Sequence, residues 1–183
     1  MTILESFPLF LWKVWKHLNL PCPTPCQADI AKFIQDTTFN RKIVEAFRGV
    51  GKSYISSAYV CWRLLKNPEL KVMVVSASSS RANEFSIFTK RLINDMPELK
   101  SLRGGQRDSN VAFDVGGITA SHSPSVKSIG ITGQLTGSRA DLIIADDIEV
   151  ISNSLTEDQR EKLIHRCGEF ESIIKPTPDA TIL

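Results

Sequence analysis

The sequence predicts an α/β fold with a mostly parallel sheet and helices on both faces, and three observations carry that prediction. Short apolar runs at 42–47, 71–76, 141–145 and 180–183 alternate with segments of helical periodicity. Crossover helices between parallel strands produce this alternation. A Gly-rich turn, Arg48-Gly49-Val50-Gly51, joins the first run to a helix opening at Lys52-Ser53. The unbroken run Leu142-Ile143-Ile144-Ala145 suits a central strand buried on both faces, and it ends in two acids, Asp146 and Asp147.

Taken in chain order, Phe7, Phe10, Leu11, Val14, Trp15 and Leu18 recur at helical spacing and predict a helix over 6–18. Such an aromatic stripe is either core or a partner surface. Pro21, Pro23 and Pro25 force extended chain and end that helix. A second helix is expected from Gln27 to about Gln35. The 42–47 run reads as a buried strand, and 52–65 as the helix that follows it, stopping near Asn67-Pro68. Then come a buried strand at 71–76 and a helix from Ser79 or Ser80, with Phe85, Phe88 and Leu92 on one face, closing before Pro97. A loop over 104–108 precedes a short strand at 111–115. Residues 121–139, rich in Gly, Ser and Thr with little periodicity, read as a long functional or disordered loop. Ser154-Leu155-Thr156-Glu157 has capping-box spacing and predicts a helix to about Ile174, broken by Pro176 and Pro178. Residues 180–183 begin one more strand, and the sequence stops inside it, which suggests a piece of a longer chain.

The 183 residues suit one domain with a substantial core. Two segments are expected: an N-terminal helical segment, 1–36, and an α/β core, 37–183. With 22 basic and 20 acidic residues the net charge is +2, which neither demands nor excludes nucleic acid, so any DNA contact rests on a local patch. Cys22 and Cys26 form one close pair, but a second pair at metal spacing is missing, so reduced thiols are expected rather than zinc. The apolar N-terminus carries Glu5, Lys13 and Lys16 and reads as neither a signal peptide nor a membrane span.

The stretch from Ala46 to Ser53 has the strand–turn–helix context of a phosphate-binding loop. Gly49, Val50 and Gly51 would present backbone N–H groups to a polyphosphate at a helix N-terminus. Lys52 would reach the β- and γ-phosphates, and the Ser53 hydroxyl would bind Mg²⁺. The usual first glycine of this pattern is Ala46 here; taken alone, the motif is also what a Gly-rich turn with a solvated lysine would show. At the acidic strand end, Asp146 would hold Mg²⁺ and the next acid would orient the attacking water. That position is usually glutamate, and here it is Asp147. Glu149, two residues on, would point the same way in extended chain, so the general base is open between the two.

With these motifs in view, the sequence resembles the large terminase subunit of tailed bacteriophages, closest to the short-tailed podovirus branch. The carriers are PTPCQ (23–27), AFRGVGKS (46–53), VVSASSSRAN (74–83), GQRDS (105–109), the long run 122–149 and the Lys175-Pro176 break. The resemblance implies the ATPase domain of a DNA-packaging motor. Its fold would be a P-loop NTPase of the additional-strand, catalytic-glutamate type, with ATP and Mg²⁺ as cofactors. The coupling segment and a nuclease domain would lie beyond this chain. It also implies double-stranded DNA, the portal protein and procapsid, and the small terminase subunit as partners. A homo-oligomeric ring, a pentamer, would work in the host cytoplasm while docked on the procapsid, with no membrane involved.

Residue by residue, Arg48 matches the arginine that terminases carry within the loop, where it would stabilise charge on the γ-phosphate. Gln27 matches a glutamine resembling a helicase-type adenine reader; its other reading is a plain polar residue at a helix N-terminus. Arg139 would act in trans on a neighbouring subunit's nucleotide, or pair with Asp141. Two further readings are a helicase-like repair ATPase, and a truncated domain that binds nucleotide with little hydrolysis.

Overall fold

A computed structural model describes residues 2–183. Its centre is a five-stranded sheet in the order β2-β3-β1-β4-β5. The strands are β1 (Val72–Ser76), β2 (Ala112–Phe113), β3 (Val126–Gly130), β4 (Leu142–Asp146) and β5 (Thr181–Ile182). All neighbours run parallel except β2, which is antiparallel to β3. The helices are α1 (Phe7–His17), α2 (Pro25–Gln35), α3 (Lys52–Lys66), α4 (Ser79–Asp95), α5 (Ile151–Ser154), α6 (Glu157–Gly168) and α7 (Phe170–Ile173), with a 3₁₀ helix at Pro97–Leu102.

Period-two alternation sorts the strand side chains into two cores. Val72, Val74, Val126, Leu142 and Ile144 face α1, α3 and α4, while Met73, Val75 and Ile143 face α7 and the chain around Ile131 and Leu135. Helices therefore cover both faces, as expected. The aromatic stripe of α1 is core: Phe7, Phe10, Leu11 and Val14 are fully buried, and Phe7 meets Tyr59 edge-on at 5.2 Å. The 1–36 segment thus shares its core with α3 and the sheet. Its first helix ends before the prolines, at Asn19, whose left-handed backbone (φ 54°) lets Leu20 N–H return to the Trp15 carbonyl. Among the described residues no helix is long and apolar enough to cross a membrane.

Three expectations about elements are corrected. Residues 42–47 are not a buried strand. Lys42 N–H donates to the Ile182 carbonyl, and among the described residues 43–47 join no ladder. Ile43 and Phe47 are left 82% and 68% exposed. The supposed loop 121–139 contains β3, the sheet's second-to-last strand on that side. Its core-facing positions are Val126, Ser128 and Gly130, small because α4 lies close: a Cβ at Gly130 would stand 2.7 Å from the Ser79 nitrogen.

The capping box lies two residues later than the sequence suggested. Ser154 closes α5, its hydroxyl donating to the Val150 carbonyl, and Thr156 with Gln159 caps α6. That helix also ends at Gly168, short of Ile174; the break redirects Phe170 and Ile173 into the second core.

Candidate functional site

Parallel strands deliver their C-terminal ends to one edge of a sheet, and ligands of open α/β folds bind there. The Gly-rich loop and the two acids meet at that edge. Gly49 and Gly51 take φ of 91° and 84°, a region that favours glycine, and Gly51 stands as the N-cap of α3. Lys52 is the first residue of α3, and its ammonium donates back across the loop to the Ala46 carbonyl at 2.9 Å. That contact uses backbone, so alanine serves where glycine is usual. The Ser53 hydroxyl lies 2.9 and 3.1 Å from the two Asp146 carboxylate oxygens. Alternation explains the meeting, since Asp146 shares the face of Leu142 and Ile144, the face on which α3 packs.

Helix α2 holds the loop from both sides. At its N-terminus Thr24 and Gln27 form a capping box in which the Gln27 carbonyl accepts from Thr24 N–H at 2.9 Å. The Gln27 amide donates to the Val50 carbonyl in the loop at 2.9 Å. At its C-terminus the Lys42 ammonium donates to the carbonyls of Phe33, Ile34 and Asp36, a cation placed where the helix dipole favours one. Burial holds the Lys42 ammonium below the usual lysine range, with Asp36 partly offsetting the effect.

A cleft of about 1000 Å³ opens beside the loop, lined among others by Arg48, Lys52, Ser53, Arg81, Asp147 and Glu149. A second cavity of about 550 Å³ between α3 and α4 shares Arg48, Ser53, Arg81 and Asp147 with it and adds Asp146. Burial pushes the Asp146 carboxyl above the ordinary carboxylate range; the Ser53 hydroxyl opposes this, and the Asp147 charge adds to it.

Asp147 adopts a left-handed backbone, φ 46°, which aspartate tolerates better than most residues. The strand therefore ends at Asp146, and the extended chain that would align Glu149 with Asp147 does not exist. Both still face the cleft, by a turn rather than by strand alternation.

The donor set around Ser53 and Asp146 is all oxygen, which suits a hard cation such as Mg²⁺ better than zinc. The Ser57 and Ser76 hydroxyls are buried without partners, and Ser76 is in register beside Asp146. Among the described residues no group of three or more His, Cys, Asp or Glu gathers to hold a metal. One or two carboxylates completed by phosphate oxygens is the usual way Mg²⁺ is held.

Arg48 lines both cavities. Arg139 lies before β4, at the opposite end of that strand from Asp146, and donates to the Ser172 carbonyl at 3.0 Å. It does not pair with Asp141, which instead binds Lys175 at 2.8 Å and accepts from Lys71 N–H. Arg81 was missed as a site residue. The helix N-terminus at Ser79 or Ser80 was the available signal, but only the sheet order shows that this end faces the cleft.

The Gly-rich loop and the acidic strand end both lie within the stretch that a known protein family covers. The family model for the terminase large subunit, T4likevirus-type, N-terminal, matches residues 43–181. The chain belongs to this family. A protein described as "Terminase, large subunit" from Enterobacteria phage T3 is 52% identical over 180 residues, covering 97% of this chain and 31% of its own length. The chain therefore spans about a third of the length of that relative.

Proposed function

We propose that this chain is the ATP-hydrolysing motor region of a DNA-packaging terminase. The observation that carries the reading is the Ser53–Asp146 contact beneath Lys52 at the N-terminus of α3, which brings phosphate-binding and acidic elements together. The P-loop assignment draws further support from topology. Arg41, just before the loop segment, bridges to β5, and β5 pairs with β4, so an additional strand separates the loop segment from the acidic strand.

In this reading the N–H groups of Gly49, Gly51 and Lys52 bind the phosphates; that of Val50, which the sequence also offered, donates within the loop to the Phe47 carbonyl at 3.4 Å. Lys52 spends one N–H on Ala46 and keeps two for the β- and γ-oxygens. Arg48 faces the same space and neutralises charge that develops as the γ-phosphoryl group transfers. Ser53 and Asp146 would hold Mg²⁺, which when bound neutralises the polyphosphate oxygens. Asp147 orients the attacking water and takes up its proton; it lines both cavities, whereas Glu149 lines only the larger. Gln27 retains one N–H and one lone pair for the adenine edge.

Double-stranded DNA, gripped through its phosphates without regard to sequence, is the proposed substrate of the motion. The portal and procapsid, the small terminase subunit and a homo-oligomeric, pentameric ring in the host cytoplasm complete the proposal, with Arg139 acting from one copy on the next.

A second reading has its own support. Among the described residues, 43–47 pair with no strand, which leaves the segment leading into the loop unsupported and favours nucleotide binding with little hydrolysis.

Calorimetric titration with MgATP, beside a phosphate-release assay, tests both readings. Lys52→Ala should weaken ATP binding by roughly a hundredfold, the loss of two charge-assisted hydrogen bonds. Unchanged affinity would sink the nucleotide site. Among Asp147→Asn and Glu149→Gln, the first should depress turnover strongly with binding intact; if only the second does so, Glu149 is the base.

A further inference from the structure

Arg81 enters the cleft from an element that none of the nucleotide motifs includes. It is the third residue of α4, its backbone N–H tied to the Ser78 hydroxyl at 3.4 Å. The close approach at Gly130 seats this first helical turn against the end of β3. Gly130 is in register with Ser76 and Ser76 with Asp146, so the turn stands at the same sheet edge as the acids, on the side away from the loop. Arg81 lines the main cleft with Lys52 and the smaller cavity with Ser53 and Asp146.

Two properties point to an anionic ligand. Among the described residues the guanidinium has no hydrogen-bond or ion-pair partner, although Glu84 sits one turn on at helical-neighbour spacing. Without this guanidinium, Asp146, Asp147 and Glu149 would outnumber Arg48 and Lys52, an unfavourable field for a polyphosphate.

We propose that Arg81 binds the terminal phosphate of a nucleoside triphosphate, from the side opposite the loop, so that the site distinguishes a triphosphate from a diphosphate. This rests on the nucleotide site proposed above and adds to it a residue that reads the γ-phosphate. A planar guanidinium can take two phosphate oxygens at once, which an ammonium cannot. Carried on α4, such a contact would also tell the helix which nucleotide is present.

The test compares affinities of the parent chain, Arg81→Ala, Arg81→Lys and Lys52→Ala for MgATP and for MgADP. Arg81 is exposed, and its backbone keeps the Ser78 cap in either variant, so unchanged circular dichroism and melting are expected. Arg81→Ala should weaken MgATP roughly tenfold or more and leave MgADP unchanged, with Arg81→Lys recovering only part. Equal weakening of both nucleotides, or of neither, overturns the proposal. So does an unchanged affinity ratio with lowered DNA-stimulated turnover, which would assign Arg81 to DNA. Should Lys52→Ala also bind normally, the nucleotide site itself has failed; if Lys52→Ala loses binding while the Arg81 ratio holds, only the Arg81 inference has.

Discussion

At the residue scale the costliest group in the site is the Asp146 carboxyl. Burial raises its pKa above the ordinary 3.8, so the native state binds a proton more readily than the unfolded chain. Stability of the metal-free protein therefore falls as pH rises from that ordinary value through the folded one, and the penalty is complete above it. Asp146→Asn removes the titration at nearly constant shape. In chelator-containing buffer the variant should melt above the parent at pH 7, and the difference should vanish as pH approaches 3.8. A difference independent of pH would mean that the carboxyl is not desolvated as described. Keeping such a group in spite of its cost fits a role in holding a cation. Lys52, Ser53 and Asp146 were legible in the sequence because motif spacing and strand alternation fix them. The meeting of Glu149 with Asp147 was legible only by the wrong route, since a left-handed Asp147 replaces the expected extended chain.

At the element scale the packing of α4 on β3 decides where the far wall of the cleft stands. Gly130→Ala would put a methyl group 2.7 Å from the Ser79 nitrogen and 3.0 Å from the Ser78 carbonyl carbon, both backbone atoms that cannot rotate away. Overpacking of this kind costs about 1–3 kcal/mol, so the midpoint of urea denaturation should fall at unchanged m-value. A neutral effect would show that α4 can slide. The same packing hid β3 from sequence reasoning: a strand whose inward residues are Val126, Ser128 and Gly130 has the composition of a loop. The 42–47 run misled in the opposite direction. Its apolar residues satisfy a strand pattern, but a strand needs a hydrogen-bonding neighbour, and among the described residues 43–47 have none. For α6 two capping-box spacings overlap, and the short helix α5 takes Ser154, leaving Thr156 as the cap.

At the scale of the whole molecule, the N-terminal helices and the sheet share one core. Phe7 is fully buried against Tyr59 and Trp62 of α3, so Phe7→Ala should cost about 3–5 kcal/mol. That loss should appear in a single unfolding transition, followed by tryptophan fluorescence and circular dichroism together. Two separated transitions would make residues 1–36 an independent unit.

The sequence by itself determined the α/β class, the two cores' hydrophobic runs, the loop with its lysine and serine, and the family, because these depend on residue type and near spacing. Tertiary structure alone decided which strand ends share an edge, that Gln27 and Lys42 tie α2 to both sides of the loop, and that Arg81 faces the acids. Those relations come from strand order and from close backbone approach. Both are set by contacts between residues far apart in the chain, which local periodicity does not encode.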